Sequence, residues 1–194
     1  MSFIIMIRNH QMKPRLIMLS DLWGKEKSFW VADYVEKLKN YFEIQYYDCR
    51  ELGGIATMDF DEESLHAQFV NGGIERAVSN LQKLEKEEIH ILAFSVGGTI
   101  GWKYALKNAN VKSITAVSST RLRYETQKPK SDINLYFGAN DNYKPEKDWF
   151  ERLQIEMYFE QNKGHLVYTD KNFIDKLCSM IKESHTQIND DFQG

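Results

Sequence analysis

Several features are scarce in this chain. There are only two cysteines, Cys49 and Cys178, far apart and without the paired Cys or Cys/His spacing that zinc and redox centres use. A disulfide framework is therefore not expected, and two lone thiols point to a reducing, cytoplasmic setting. No hydrophobic run is long enough to cross a bilayer. The apolar stretch 3–7 is too short, and it lacks the basic start and small-residue cleavage site of a secretory signal. Nor is there an excess of positive charge. Lys and Arg number 25 against 28 Asp and Glu, and the net charge of −3 argues against a nucleic-acid-binding surface as the main role. With three prolines and no low-complexity tract, disorder is expected only at the ends, 1–11 and 186–194. Met12 stands just before the first convincing element, so residues 1–11 read equally as a mobile extension, a flanking strand or an upstream start.

What is present is an ordinary globular composition, 42% hydrophobic and 27% charged, over 194 residues. That length suits one domain spanning 1–194, burying roughly 70% of the surface that the unfolded chain exposes. From Arg15 onward, short apolar runs alternate with longer amphipathic stretches, the pattern of βαβ units around a buried parallel sheet. Strands are predicted at 16–19, 42–47, 89–94, 113–117, 133–137 and 155–158. Helices are predicted at 28–39, 63–86 with a break at Gly72-Gly73, 98–107, 144–153 and 170–183. The expected architecture is α/β: a doubly wound, mainly parallel sheet of about six strands with helices on both faces. Right-handed crossovers place every strand C-terminus on one edge, where such sheets hold their ligands. With the first strand beside the third, the loop 20–24 would face the loop that carries Ser95.

The chemistry-bearing residues fall at that edge. Ala93-Phe94-Ser95-Val96-Gly97 joins an apolar strand to a helix, with small residues two before and two after the serine, the context of a nucleophile elbow. Gly138-Ala139-Asn140-Asp141 follows the fifth strand, and Gly164-His165 follows the sixth. Ser95, Asp141 and His165 thus occur in the order Ser, Asp, His, each after a different strand. In this order and placement the chain, from Arg15 to about Glu183, resembles the α/β-hydrolase superfamily and its small capless serine hydrolases.

The resemblance implies a serine hydrolase, a carboxylesterase or thioesterase, cleaving its substrate through an acyl-enzyme intermediate. Ser95 would be the nucleophile, His165 the base and Asp141 the residue that orients the imidazole. Asp148 competes for the last role but lies inside the following helix pattern. Backbone N–H groups of Val96 and Leu22, with Asp21 as the next choice after Leu22, would meet the oxyanion. Many members of the family carry His-Gly where this chain has Ser20-Asp21. A carboxylate beside an oxyanion opposes the developing charge, so a silent relative that binds a small ligand or protein partner is the other reading of the same residues. A flavodoxin-like binding module shares the sheet but leaves the ordered Asp and His unexplained.

The segment 118–132 is too short for the helical cap that many α/β-hydrolases insert there, so an open site is expected, suited to short or polar acyl groups or the end of a carrier. Arg121 and Arg123 at its rim read either as solvated loop residues or as partners for a carboxylate, a phosphate or an acidic carrier. Trp23, Trp30 and Tyr143 are candidate walls of an acyl pocket, Trp30 equally a core residue. The other histidines fit a base less well: His90 lies in a strand pattern, His66 on a helix, and His10 and His185 near the ends. Gly97-Gly98-Thr99-Ile100-Gly101 lacks the spacing and lysine of a phosphate cradle, and no residues show metal-ligand spacing, so neither cofactor nor metal is invoked.

Overall fold

The structure, a computed structural model, describes residues 13–56 and 61–191, with side chains through 185. The expectations for residues 1–11 and for the last three residues lie outside that range. Six strands form one sheet: β1 Arg15–Leu19, β2 Glu43–Tyr47, β3 Ile89–Phe94, β4 Val111–Val117, β5 Asp132–Gly138 and β6 Tyr158–Glu160. Their order is β2-β1-β3-β4-β5-β6, with every neighbouring pair parallel. Strand order reverses at β1, which has β2 on one side and β3 on the other. Leu19 stands opposite both Tyr47 and Ala93, so the loops after β1 and β3 leave the sheet side by side.

Alternation along the strands feeds two cores. Leu16, Met18, Leu92 and Phe94 face one side, where α1 (Val31–Leu38) and α7 (Lys171–Asp191) cover them with Tyr34, Leu38, Phe173, Ile174 and Leu177. Ile17, Leu19, Ile91 and Ala93 face the other, beneath α2 (Cys49–Gly53), α3 (Glu62–Gln68), α4 (Ile74–Leu84), α5 (Val96–Lys107) and α6 (Lys147–Leu153). Strands buried on both faces explain why they read as continuous apolar runs.

The sequence reading needs several local changes. The break expected at Gly72-Gly73 is a turn of π-helical bonding, Phe69–Gly73, in which Gly72 takes φ +106° and separates α3 from α4. Helix α1 begins only at Val31, which leaves Phe29 86% exposed rather than on the apolar face. Helix α6 begins at Lys147, with Pro145 ahead of its cap residue Glu146 rather than in its first turn. The last strand lies at Tyr158–Glu160 instead of 155–158, because Ile155 and Met157 pack against the core as loop residues. Helix α2 carries no apolar periodicity long enough to announce it. It is set by its ends: Asp48 accepts hydrogen bonds from the Arg50 and Glu51 N–H groups, and Gly54 closes it in the left-handed region. Between β4 and β5 there is a 3-10 turn, Thr120–Tyr124, and loop, with no cap domain. No helix among the described residues is long and apolar enough to cross a membrane.

Candidate active site

Ser95 sits between β3 and α5 with φ 49° and ψ −118°, a conformation that costs on the order of 1–3 kcal/mol in a residue with a side chain. Two features hold it there. The Ser95 N–H donates to the Val117 carbonyl at the end of β4 (2.9 Å), and the first turn of α5 presses against the loop after β1. A Cβ on Gly97 would collide with the carbonyl oxygens of Leu19 and Ser20, so only glycine permits this approach. The approach brings the N-terminus of α5 beside Leu22. Neither the Val96 nor the Leu22 N–H has an acceptor among the described residues.

Asp141 and His165 reach the serine from the next two strand ends. The loop after β5 is tied to the segment before His165 by Asn140 N–H to the Lys163 carbonyl (2.8 Å) and Ala139 N–H to the Glu160 carbonyl (2.9 Å). His165 opens the 3-10 turn His165–Thr169. Its Nε2 lies 3.1 Å from Ser95 Oγ, and its Nδ1 lies 2.7 Å from Asp141 Oδ2. Burial pushes the Asp141 carboxyl up, but hydrogen bonds from His165 and the Tyr143 N–H (3.0 Å) outweigh it and hold the group below the usual carboxylate range. An ionised Asp141 can only accept, so the imidazole carries its proton on Nδ1 and offers Nε2 as an acceptor to the serine hydroxyl. The sequence-predicted Ser95, Asp141 and His165 are therefore brought together. Asp148, the competitor, lies in the first turn of α6.

A cleft of about 690 Å³ opens over this group, lined by Leu22, Trp23, Ser95, Val96, His165 and Tyr168, with Arg121, Arg123 and Tyr143 on one side and Glu62, Glu63 and His66 on another. The two arginines differ. Arg123 donates to the carbonyls of Thr120 (2.9 Å) and Tyr143 (3.1 Å) and to the Tyr124 hydroxyl (2.9 Å), bracing the rim. Arg121 has only the Tyr124 ring, 5.1 Å away, among the described residues. Trp30, left open between pocket and core, is core: its ring packs against Phe94 (4.5 Å) and Tyr168 (4.9 Å). The wall from α3 and Phe69 was not legible, because nothing in an amphipathic helix says which loop it will face. Tyr168 was missed as well. The only available signal was its position three residues after His165. No cluster of three or more His, Cys, Asp or Glu among the described residues could hold a metal.

The loop after β1 carries Asp21, which is 2% exposed. Its Oδ1 accepts from the Trp23 N–H (2.9 Å) and its Oδ2 from the Tyr168 hydroxyl (3.2 Å), so both oxygens are engaged by neutral donors. Burial pushes its pKa up to about 6, despite those hydrogen bonds and the nearby His165.

A parallel α/β sheet that gathers a strained serine, a histidine and a buried carboxylate at its C-terminal edge, in that spatial chain, defines an architecture of the hydrolase type. The chain belongs to the alpha/beta hydrolase fold family, whose model matches residues 59–173. Its fold is similar to that of mouse alpha/beta hydrolase domain-containing protein 10 (TM-score 0.67, 12% identity, 90% of each chain covered). It is similar too to a dienelactone hydrolase-like promiscuous phosphotriesterase from metagenomic libraries (TM-score 0.63, 13% identity, 91% of this chain and 87% of that one). An alpha-beta serine hydrolase homologue from Coxiella burnetii aligns with TM-score 0.62 and 16% identity over 89% of this chain and 86% of the other. At these identities the likeness is one of fold. No curated protein matches the chain by sequence.

Proposed function

We propose that the chain is a single-domain serine hydrolase that cleaves a carboxylic ester or thioester through an acyl-enzyme intermediate, with carboxylesterase as the first choice. The observation that carries this reading is the continuous hydrogen-bonded line from Ser95 Oγ through His165 to Asp141. Ser95 Oγ attacks the carbonyl carbon while His165 Nε2 takes its proton, and Asp141 stabilises the imidazolium that results. The carbonyl oxygen becomes an anion between the N–H groups of Leu22 and Val96, at the positive end of α5. Collapse of this intermediate breaks the bond to the alcohol or thiol, which leaves with the proton from His165. Water then attacks the acyl-serine with His165 again as base, releasing the carboxylic acid and restoring Ser95.

Trp23 and Tyr143 supply apolar walls, and Arg121 suits a substrate whose acyl or leaving group carries an anion, free or at the end of an acidic carrier. The buried, unpaired Cys49 and Cys178 support work in a reducing cytoplasm. Asp21 is the observation that favours the other reading, a silent relative that binds a ligand in the same cleft. Its engagement by Trp23 and Tyr168 argues for the enzyme, since both carboxylate oxygens already have donors of their own. A fluorophosphonate probe decides between them. Covalent labelling at Ser95 and turnover of short p-nitrophenyl esters are expected; an unlabelled, inactive protein would leave the silent reading standing.

A further inference from the structure

Asp21 occupies the place where a negative charge should do most harm, and its surroundings give it a task there. Two short segments must face one another for the chemistry above: the turn after β1, which presents the Leu22 N–H, and the turn 165–169, which presents the imidazole. No backbone hydrogen bond joins them among the described residues. The carboxylate of Asp21 does. One oxygen closes its own turn by accepting from the Trp23 N–H, and the other accepts from Tyr168, a residue of the His165 turn. The remaining contacts make both halves rigid. The Asp21 carbonyl accepts from the Ser20 hydroxyl (2.9 Å), which itself accepts from the Cys49 N–H (2.9 Å). On the other side the Tyr168 carbonyl accepts from the Tyr34 hydroxyl of α1 (3.0 Å), and the Tyr168 ring stands edge-on to His165, with centroids 6.2 Å apart.

We infer that Asp21 is a positioning residue: through Tyr168 it ties the turn that carries His165 to the turn that offers the Leu22 N–H to the oxyanion. The inference rests on the proposed reading of Ser95, His165 and Leu22. It turns the departure from His-Gly at these positions into a brace, because glycine could offer no second turn a hydrogen bond. A carboxylate carries two separate acceptor oxygens and no donor, so it can give one oxygen to each turn.

The test compares Asp21→Ala, Asp21→Asn and Tyr168→Phe by steady-state kinetics on p-nitrophenyl butyrate and by the rate of fluorophosphonate labelling. Alanine removes both acceptors, and misplacement of catalytic groups by about 1 Å costs roughly 100-fold. For Asp21→Ala we expect kcat and the labelling rate to fall together by about 10- to 100-fold, with KM little changed. Asparagine keeps an oxygen for the Trp23 N–H and an amide for the Tyr168 oxygen, so it should recover most of the loss. Tyr168→Phe cuts the link between the turns alone and should show most of the Asp21→Ala loss, and the double variant should be no slower than Asp21→Ala, since that variant has already cut the link. A loss in KM alone, no rescue by asparagine, or additive losses would overturn the inference. If the wild type is neither labelled nor active, the reading of Ser95 fails but the brace is still measured: amide exchange in Asp21→Ala should quicken in both 21–24 and 165–169. Exchange that quickens in only one of these segments would refute the tie.

Discussion

The two ends of the central strands hold buried carboxylates in opposite ways. At the foot of the sheet Glu85, 4% exposed, meets both Nε and Nη2 of Arg15 at 2.8 Å and accepts from the Tyr47 hydroxyl. Burial pushes its pKa up, but Arg15 and Tyr47 outweigh burial and the carboxyl is held low. At the top Asp21 is equally buried but among the described residues meets no cation within ion-pair distance, only an N–H and a hydroxyl, and is pushed up to about 6. The same edge carries Ser95 and Ser118 at positive φ, and the buried hydroxyls of Thr99, Ser118 and Ser119 have no partner among the described residues. The foot is matched for stability. The top keeps strain and a carboxylate without a cation where the proposed reaction would move charge, the trade that functional sites make.

The contrast breaks first if the top can be altered without losing turnover. Ser95→Ala and His165→Ala should each lower kcat by roughly 1,000-fold or more, while thermal melting stays within a few degrees of wild type. Turnover retained in either variant would move the chemistry elsewhere. Glu85→Ala is the counterpart at the foot. It leaves Arg15 without its buried carboxylate, beside the exposed Glu43 and the Tyr47 hydroxyl, and should cost about 2–4 kcal/mol in urea unfolding, with kcat preserved on the fraction that remains folded.

Asp21→Asn sharpens the contrast through pH. The folded pKa of Asp21 lies above its unfolded value, so its stability contribution is whole below about pH 4 and is lost as pH rises through about 6. A carboxyl held at about 6 instead of near 4 costs the fold about 3 kcal/mol at pH 8, which asparagine should recover there and not at pH 4. Glu85, held low, works in the other direction: its contribution is present above about pH 4.5 and fades as pH falls through its lowered pKa. Unfolding at a series of pH values reads both signs. A gain from Asp21→Asn that does not depend on pH would show that the carboxylate's charge is not what burial opposes.

The difference between foot and top also marks how far the sequence could be read. Strand positions followed from runs such as Ile89–Phe94, because burial on both faces leaves a signal that needs no partner to be seen. That Ser95, Asp141 and His165 meet was legible because each follows a strand, and parallel topology collects strand ends. Asp21 was singled out as a threat to the oxyanion because its neighbour in sequence is Leu22. What turns it into a brace is Tyr168, 147 residues away in the chain. Pairings of that kind, like the cleft wall contributed by α3, arise from tertiary placement and leave no local period or spacing. Helix α2 escaped for a different reason, since five residues are too few for an amphipathic pattern and only its caps define it.

The smallest effect concerns the two arginines of the rim. At the foot Arg15 is matched by Glu43 and Glu85, whereas neither Arg121 nor Arg123 meets a carboxylate within ion-pair distance among the described residues. Arg123 spends its donors on Thr120, Tyr143 and Tyr124, so its loss should loosen the rim and slow neutral and acidic esters alike. Among the described residues Arg121 meets only the Tyr124 ring, so in the proposed reading its donors serve the substrate. Its charge, together with that of Arg123, already adds to burial in lowering the pKa of His66 on the facing wall, so the field of this turn reaches across the opening. A charge-assisted bond to a carboxylate at a partly wet site contributes about 1–2 kcal/mol. Arg121→Gln should therefore lower the ratio of kcat/KM for a hemiglutarate ester over a butyrate ester by about 10-fold, chiefly through KM, and Arg123→Gln should leave that ratio near its wild-type value. If both variants shift the ratio equally, the rim acts as a diffuse positive field, and raising the salt concentration should then erase the preference in the wild type.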